Sequence, residues 1–195
     1  MPFYEIHHHY PLTSSQKSEL ASAITHIHST TFSTPKLFVN VRFFHNPTDS
    51  GTNFVGGVVR PTNHVRAHVR SGPSRTRQDW QNLSNQIQSA WGKIVGPGLP
   101  SVRRAEETAD GDTSLHSIII LGDLIFGMEL GFAYPEAGGD VEWLRSNMSE
   151  FEKRAEAGDD EIKGMVDEVK ERGLLGDGKT TQQRLEEALG WGDSA

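Results

Sequence analysis

Cysteine is absent from this chain. That excludes disulfides, thiol nucleophiles and cysteine-ligated zinc. A basic excess is also missing. Nineteen Lys and Arg face 26 Asp and Glu, for a formal net charge of -7. Phosphate recognition needs a positive field, so no nucleic-acid partner is expected. Long apolar runs are lacking too. The longest, "SIIILGDLIFGMELGFAY", is interrupted by Asp123 and Glu129 and is too polar to cross a bilayer. The opening stretch "MPFYEIHHHY" has neither the basic start nor the unbroken apolar segment of a signal peptide. A soluble cytoplasmic protein without a membrane partner is expected. The glycosylation-like matches at Asn82 and Asn147 are then chance ones.

What is present suits a globular protein. The chain has 195 residues, 35% of them hydrophobic, enough for one domain or one domain with an appendage. Residues 3–10 are rich in aromatic and His residues and read as a strand. Thr13 with Gln16 has the capping-box spacing, and Leu20, Ile24, Ile27 and Phe32 then recur at helical spacing up to Pro35. "LFVNVRFFH" (37–45) is a strand by propensity. "FVGGVV" and "HVRAHVR" read as two more short strands around "RPTN", with Gly56 and Gly57 marking a bulge or a close backbone contact. A helix is expected at 75–93, with Trp80, Leu83, Ile87 and Trp91 on one face. A polar loop follows at 96–114, and then the buried strand "LHSIIIL". The order gives an α+β fold of two β-α-β halves.

Composition shifts beyond residue 138, so we divide the chain into a domain at 1–138 and a helical tail at 139–195. Ile162, Met165, Val166 and Val169 form a narrow apolar stripe between Asp159 and Gly173. Thr180 with Gln183 can cap a last short helix to Leu189. Helices this short are marginal alone, so the tail is expected to dock on the core or on a neighbouring subunit.

Pro2 carries a chemical possibility. Methionine aminopeptidases remove Met1 when the next side chain is small, and proline qualifies. The mature chain would then start with a secondary amine. An α-amino group titrates near ~8 in model peptides, and burial or nearby cations lower that value. Such an amine, brought towards neutrality, is a general base. The nine histidines offer a rival reading as metal ligands. They lack the HExxH spacing, and partly exposed strand histidines explain His7, His8 and His9 without a metal. His26 lies on a different helix face from His28 and is expected at the surface.

"MPFYEI", "AITHIH" (23–28), "NFVGG" (53–57), "VRSGPSR" (69–75) and "ELGFAYP" (129–135) resemble, in order and spacing, the cis-3-chloroacrylic acid dehalogenase-like group of the tautomerase superfamily. The resemblance covers residues 2–145. It implies two fused β-α-β units, a homotrimer, no cofactor and no metal. It also implies a small carboxylic acid as substrate. By it, Pro2 matches the catalytic amino-terminal proline, and His28 the histidine that helps hold the substrate carboxylate. Arg70 and Arg75 match the two carboxylate-binding arginines, with Arg77 as a substitute for the second because "SGPS" lengthens that loop. Glu129 matches the glutamate that activates water or polarises the reacting centre. One departure stands out: Ile120 replaces the family tyrosine, which removes a hydroxyl and counts against hydrolytic dehalogenation. The expected function is a tautomerase or isomerase of small unsaturated or enol acids, with hydratase, dehalogenase or decarboxylase side activity. The alternative is a non-catalytic trimeric scaffold in which Pro2 is unused and the tail recruits a partner.

Overall fold

A computed structural model describes residues 1–47, 51–96 and 112–176. They divide into two compact units, one ending at Gly138 and one beginning at Gly139. The expected Thr180–Leu189 helix and most of the 96–114 loop lie outside the described residues.

The first unit is built from two β-α-β halves. The first half runs β1 (Phe3–His8), α1 (Ser14–Phe32), β2 (Asn40–His45), and ends in a hairpin, β3 (Phe54–Val55) with β4 (Val58–Val59). The second half runs β5 (Asn63–His68), α2 (Arg77–Ile94), β6 (Leu115–Leu121), and also ends in a hairpin, β7 (Met128–Glu129) with β8 (Phe132–Ala133). The sheet order is β2-β1-β5-β6. Within each half the long strands are parallel, whereas β1 and β5 meet antiparallel at the centre, with Ile6 opposite Val65. A proline precedes the first strand of each half: Pro2 adjoins β1, and Pro61 stands just before β5.

Local sequence accounts for the elements. Thr13 and Gln16 form the capping box that opens α1, and Thr76 with Asp79 repeats it for α2. Ser33 in the left-handed region, followed by Pro35, ends α1. Strand alternation sends Tyr4, Ile6, Val65 and Ala67 to the helix side. There they bury with Leu20, Ile24, Leu83, Ile87 and Trp91 in one core. Burying a side chain of this size stabilises by about 1.5–3 kcal/mol.

The opposite sheet face carries Glu5, His7, His64 and His68. His7 stacks between Phe44 and His64, with ring centroids 4.7 and 4.8 Å away. Glu5 lies 3.3 Å from His7 and 3.8 Å from His68, and His68 also meets Asp123.

Four expectations need correction. "LHSIIIL" is not a buried strand: β6 lies at the sheet edge, none of its residues is buried, and Ile119 is 42% exposed. "FVGGVV" is not one strand but the hairpin β3–β4. Gly56 and Gly57 have φ of 60° and 80°, as a two-residue primed turn requires. A Cβ at either would meet nothing within 4 Å, so the glycines serve backbone conformation and not close contact. The strand from "LFVNVRFFH" starts later, because Lys36–Phe38 form a 3-10 turn. His8 and His9 are not partly exposed: only 1% and 4% of their surfaces remain accessible. β1 ends at His8, the side-chain alternation stops there, and the His9 backbone turns inward to Asn63.

In the second unit, α3 (Asp140–Glu156) and α4 (Asp160–Glu171) bury Leu144 and Phe151 along with Ile162, Met165, Val166 and Val169. The Asp159 side chain accepts from the Ile162 N–H to start α4, and Lys170 pairs with Glu152 across the two helices at 2.9 Å. Among the described residues no helix is long and apolar enough to cross a membrane.

Asn63 ties the sheet together at full hydrogen-bonding capacity. Its carbonyl accepts from the His9 and Tyr10 N–H groups, and its amide donates to the Asp112 and Ser114 carbonyls. Asn63→Ala should destabilise the fold by about 2–4 kcal/mol, since several buried groups lose partners at once. Urea unfolding checks this, and a loss under about 0.5 kcal/mol would show that these bonds are replaceable.

Candidate active site

Strand direction gathers the candidate residues. Pro2 opens β1 and Asn40 opens β2, while Arg70 follows the end of β5. Because β1 is parallel to β2 and antiparallel to β5, these positions share one end of the sheet.

The buried Pro2 carbonyl accepts from the Asn40 N–H at 3.1 Å. The Asn40 side-chain amide donates to Glu129 Oε1 at 2.9 Å, and the Tyr134 hydroxyl donates to Glu129 Oε2 at 3.2 Å. Glu129 sits on the β7–β8 hairpin, whose turn holds Leu130 and Gly131 at φ of 53° and 89°. Gly127 lets the Tyr134 ring close in: a Cβ there would lie 2.3 Å from Cε2. Burial and the Glu129 charge push the Tyr134 phenol up to about 12, so it is a donor at neutral pH.

The two arginines are held in different ways. Arg70, 5% exposed, donates from Nη1 to the Pro135 and Glu136 carbonyls at 2.5 and 2.9 Å. Arg75 donates from Nη1 to the Arg70 carbonyl at 3.1 Å. Its guanidinium lies over the Phe32 ring at 4.6 Å and near Trp80 at 6.0 Å. Carbonyls and aromatic faces fix the orientation of a guanidinium. Arg77 is exposed in the first turn of α2, so of the two alternatives Arg75 is the one buried beside Arg70. Arg66 points from the uncovered sheet face and is exposed.

His28 is fully buried on α1. Nδ1 lies 2.8 Å from the Tyr4 hydroxyl, and its ring packs 4.8 Å from Phe32 one helical turn on. Burial first, then the Arg75, amino-terminal and Arg70 charges, hold its pKa well below the usual histidine value. His26 is exposed, as its helix face dictates.

Arg70, Tyr134 and Glu136 line a cavity of about 260 Å³ together with Leu124, Ile125 and Phe126, whereas Pro2, His28, Arg75 and Glu129 are not among its lining residues. Ile120 is not part of that lining. It faces the helices from β6 and packs against the hydrophobic core, so its missing hydroxyl does not make this cavity greasier. The phenol next to Glu129 comes from Tyr134. Sequence reasoning passed over that residue although it lies in the quoted "ELGFAYP". Asn40 and Tyr4 were missed as well, since their partners lie 89 and 24 residues away. Among the described residues no group of three or more His, Asp or Glu could hold a metal ion.

The buried neutral histidines carry a pH signature. Burial lowers the pKa of His28 and His8, and that of His64 falls to about 4. Unfolded histidines titrate near ~6.5, so below that the unfolded chain binds more protons. Stability should be full above about pH 6.5 and should fall as pH drops through about 4. Urea midpoints measured across this range check it, and a flat profile would show that these histidines protonate freely in the fold.

A family model described as "Putative oxalocrotonate tautomerase enzyme" matches residues 1–148. No curated protein matches the chain. Two solved structures share the fold. One is N1, a member of the cis-3-chloroacrylic acid dehalogenase family. It is 23% identical, covers 73% of this chain and 90% of its own, and has a TM-score of 0.52. The other is a probable enzyme from the thermophilic fungus Aspergillus fumigatus. It is 24% identical, covers 75% of this chain and 94% of its own, and has a TM-score of 0.51. The α+β architecture of two fused β-α-β units thus recurs in both. With the match spanning 148 residues, the chain belongs to the putative oxalocrotonate tautomerase enzyme family, in the tautomerase superfamily.

Proposed function

We propose that this protein is a cofactor-independent tautomerase of small enol or unsaturated carboxylic acids, with the Pro2 nitrogen as general base. The observation that carries the reading is the convergence of Pro2, Glu129, His28 and two buried arginines at one sheet end. Arg70 and Arg75 supply charge for a substrate carboxylate. The same cations, together with burial, disfavour protonation of a nearby amine. The amine takes a proton from the enol and returns it to carbon, so it ends unchanged and no redox partner is needed. Glu129, oriented by Asn40 and Tyr134, polarises the reacting end. Holding a water there would extend the chemistry to hydration or dehalogenation.

A homotrimer belongs to the same proposal. The sheet face opposite the helices carries Glu5 and Asp123 with Arg42, Arg66 and His68. A surface holding both signs suits a second copy of itself.

One observation favours the scaffold alternative. Arg70 Nη1 is engaged by two backbone carbonyls, a structural duty that needs no substrate. Activity decides between the readings. Mass spectrometry should find Met1 removed, since Pro2 is an amine only then. Pro2→Ala should lower kcat/KM on an enol pyruvate by on the order of 10²-fold. Met1 retained throughout, or no turnover of enol acids by the wild type, would leave the scaffold reading standing, and full activity in Pro2→Ala would remove Pro2 as the base.

The arginines give a separate contrast. Arg70→Ala should raise KM for acidic substrates about 10- to 100-fold, the loss of a charge-assisted pair worth ~1.5–3 kcal/mol. Arg66→Ala should leave KM within about twofold, as expected for an exposed charge. Equal effects in steady-state kinetics would relocate the carboxylate site.

A further inference from the structure

We propose that Tyr4 is a positioning residue that decides which nitrogen of His28 carries the proton, and so which atom His28 presents to a substrate carboxylate. The inference rests on the tautomerase reading and deepens it.

Tyr4 and His28 are both fully buried, one on the helix face of β1 and one on α1. Their rings meet edge-on at 79°, and the hydroxyl lies 2.8 Å from Nδ1. A phenol has one hydrogen to donate. Burial raises the Tyr4 pKa far above its ordinary value, so that hydrogen is present. Nδ1 of His28 is its sole hydrogen-bond partner among the described residues. The Tyr4 O–H therefore donates to Nδ1.

The rest follows from proton counting. Around the imidazole stand Tyr4, Phe32, the Arg75 and Arg70 guanidinium groups and the amino terminus. None of these groups is anionic and the ring is fully buried, so it stays neutral with one proton. With Nδ1 accepting from Tyr4, the proton sits on Nε2. That atom is buried and has no hydrogen-bond partner among the described residues. A buried N–H left unpaired is disfavoured, unless a ligand completes it. The reverse tautomer would strand the Tyr4 hydrogen and turn a lone pair of Nε2 towards an anion. His28 is thus a neutral donor to a carboxylate, next to two cations, and needs no protonation of its own to act.

Tyr4→Phe tests this while keeping the ring in the core. Long-range proton–nitrogen NMR should show wild-type His28 as the Nε2–H tautomer throughout the pH range where ordinary histidines titrate. In Tyr4→Phe the His28 nitrogen shifts should move towards a tautomer mixture. KM for an enol pyruvate should rise about three- to tenfold, with kcat within about twofold, as expected for one lost neutral hydrogen bond. A purely structural role for Tyr4 would lower the melting temperature without moving the nitrogen shifts. An Nδ1–H tautomer in the wild type, or unchanged shifts and KM in Tyr4→Phe, would overturn the inference. Failure of the tautomerase reading shows elsewhere, as no turnover of enol acids by the wild type, and leaves the NMR result able to decide the tautomer alone.

Discussion

The antiparallel pairing of β1 with β5 is the contact on which the candidate site depends. Each β-α-β half is internally parallel, so its first and last strands point the same way. Within the four-stranded sheet only the central pair reverses direction, with Tyr4 opposite Ala67 and Ile6 opposite Val65. That reversal puts the start of the chain beside the exit of β5. Pro2 and Asn40 come from one half, Arg70 and Glu129 from the other. A register slip of one residue would turn Tyr4 and Ile6 out of the core, and with them the hydroxyl that meets His28.

Electrostatic design follows from how the cations are held. Aromatic rings and the Arg70 carbonyl position Arg75. Its charge acts on His28 and, as a minor influence, on Tyr4. Burial is the first cause in both cases, so dryness and not proximity sets the protonation state. A neutral histidine between cations adds a directional donor without adding repulsion.

Local signals in the sequence were legible where structure is local. The Thr13–Gln16 box and the Ile162–Val169 stripe each depend on neighbours within a few turns. The two hairpins were not legible as such, because strands of two residues have no measurable period. The positions of Arg70 and Glu129 came from motif order. The groups that hold them did not: Asn40 reaches Glu129 across 89 residues, the Pro135 and Glu136 carbonyls reach Arg70 across 65 and 66, and Asn63, which ties the sheet, bonds across 54. An asparagine at a strand start looks like any turn former until its four partners are known.

The duplicated architecture is chemically lopsided. Both halves begin with a proline next to a strand, and both end in a two-stranded hairpin. Only the first proline can ever have a free nitrogen. Pro61 lies inside the chain, where its nitrogen is a tertiary amide with neither a proton to give nor useful basicity. Joining the halves in one polypeptide therefore halves the number of bases that a symmetric arrangement could field. It also releases the second half from carrying one, and that half supplies Arg70, Arg75 and Glu129 instead. On the proposed function, fusion divides labour: one repeat would contribute the amine, and the other would contribute the charges at the same end of the sheet.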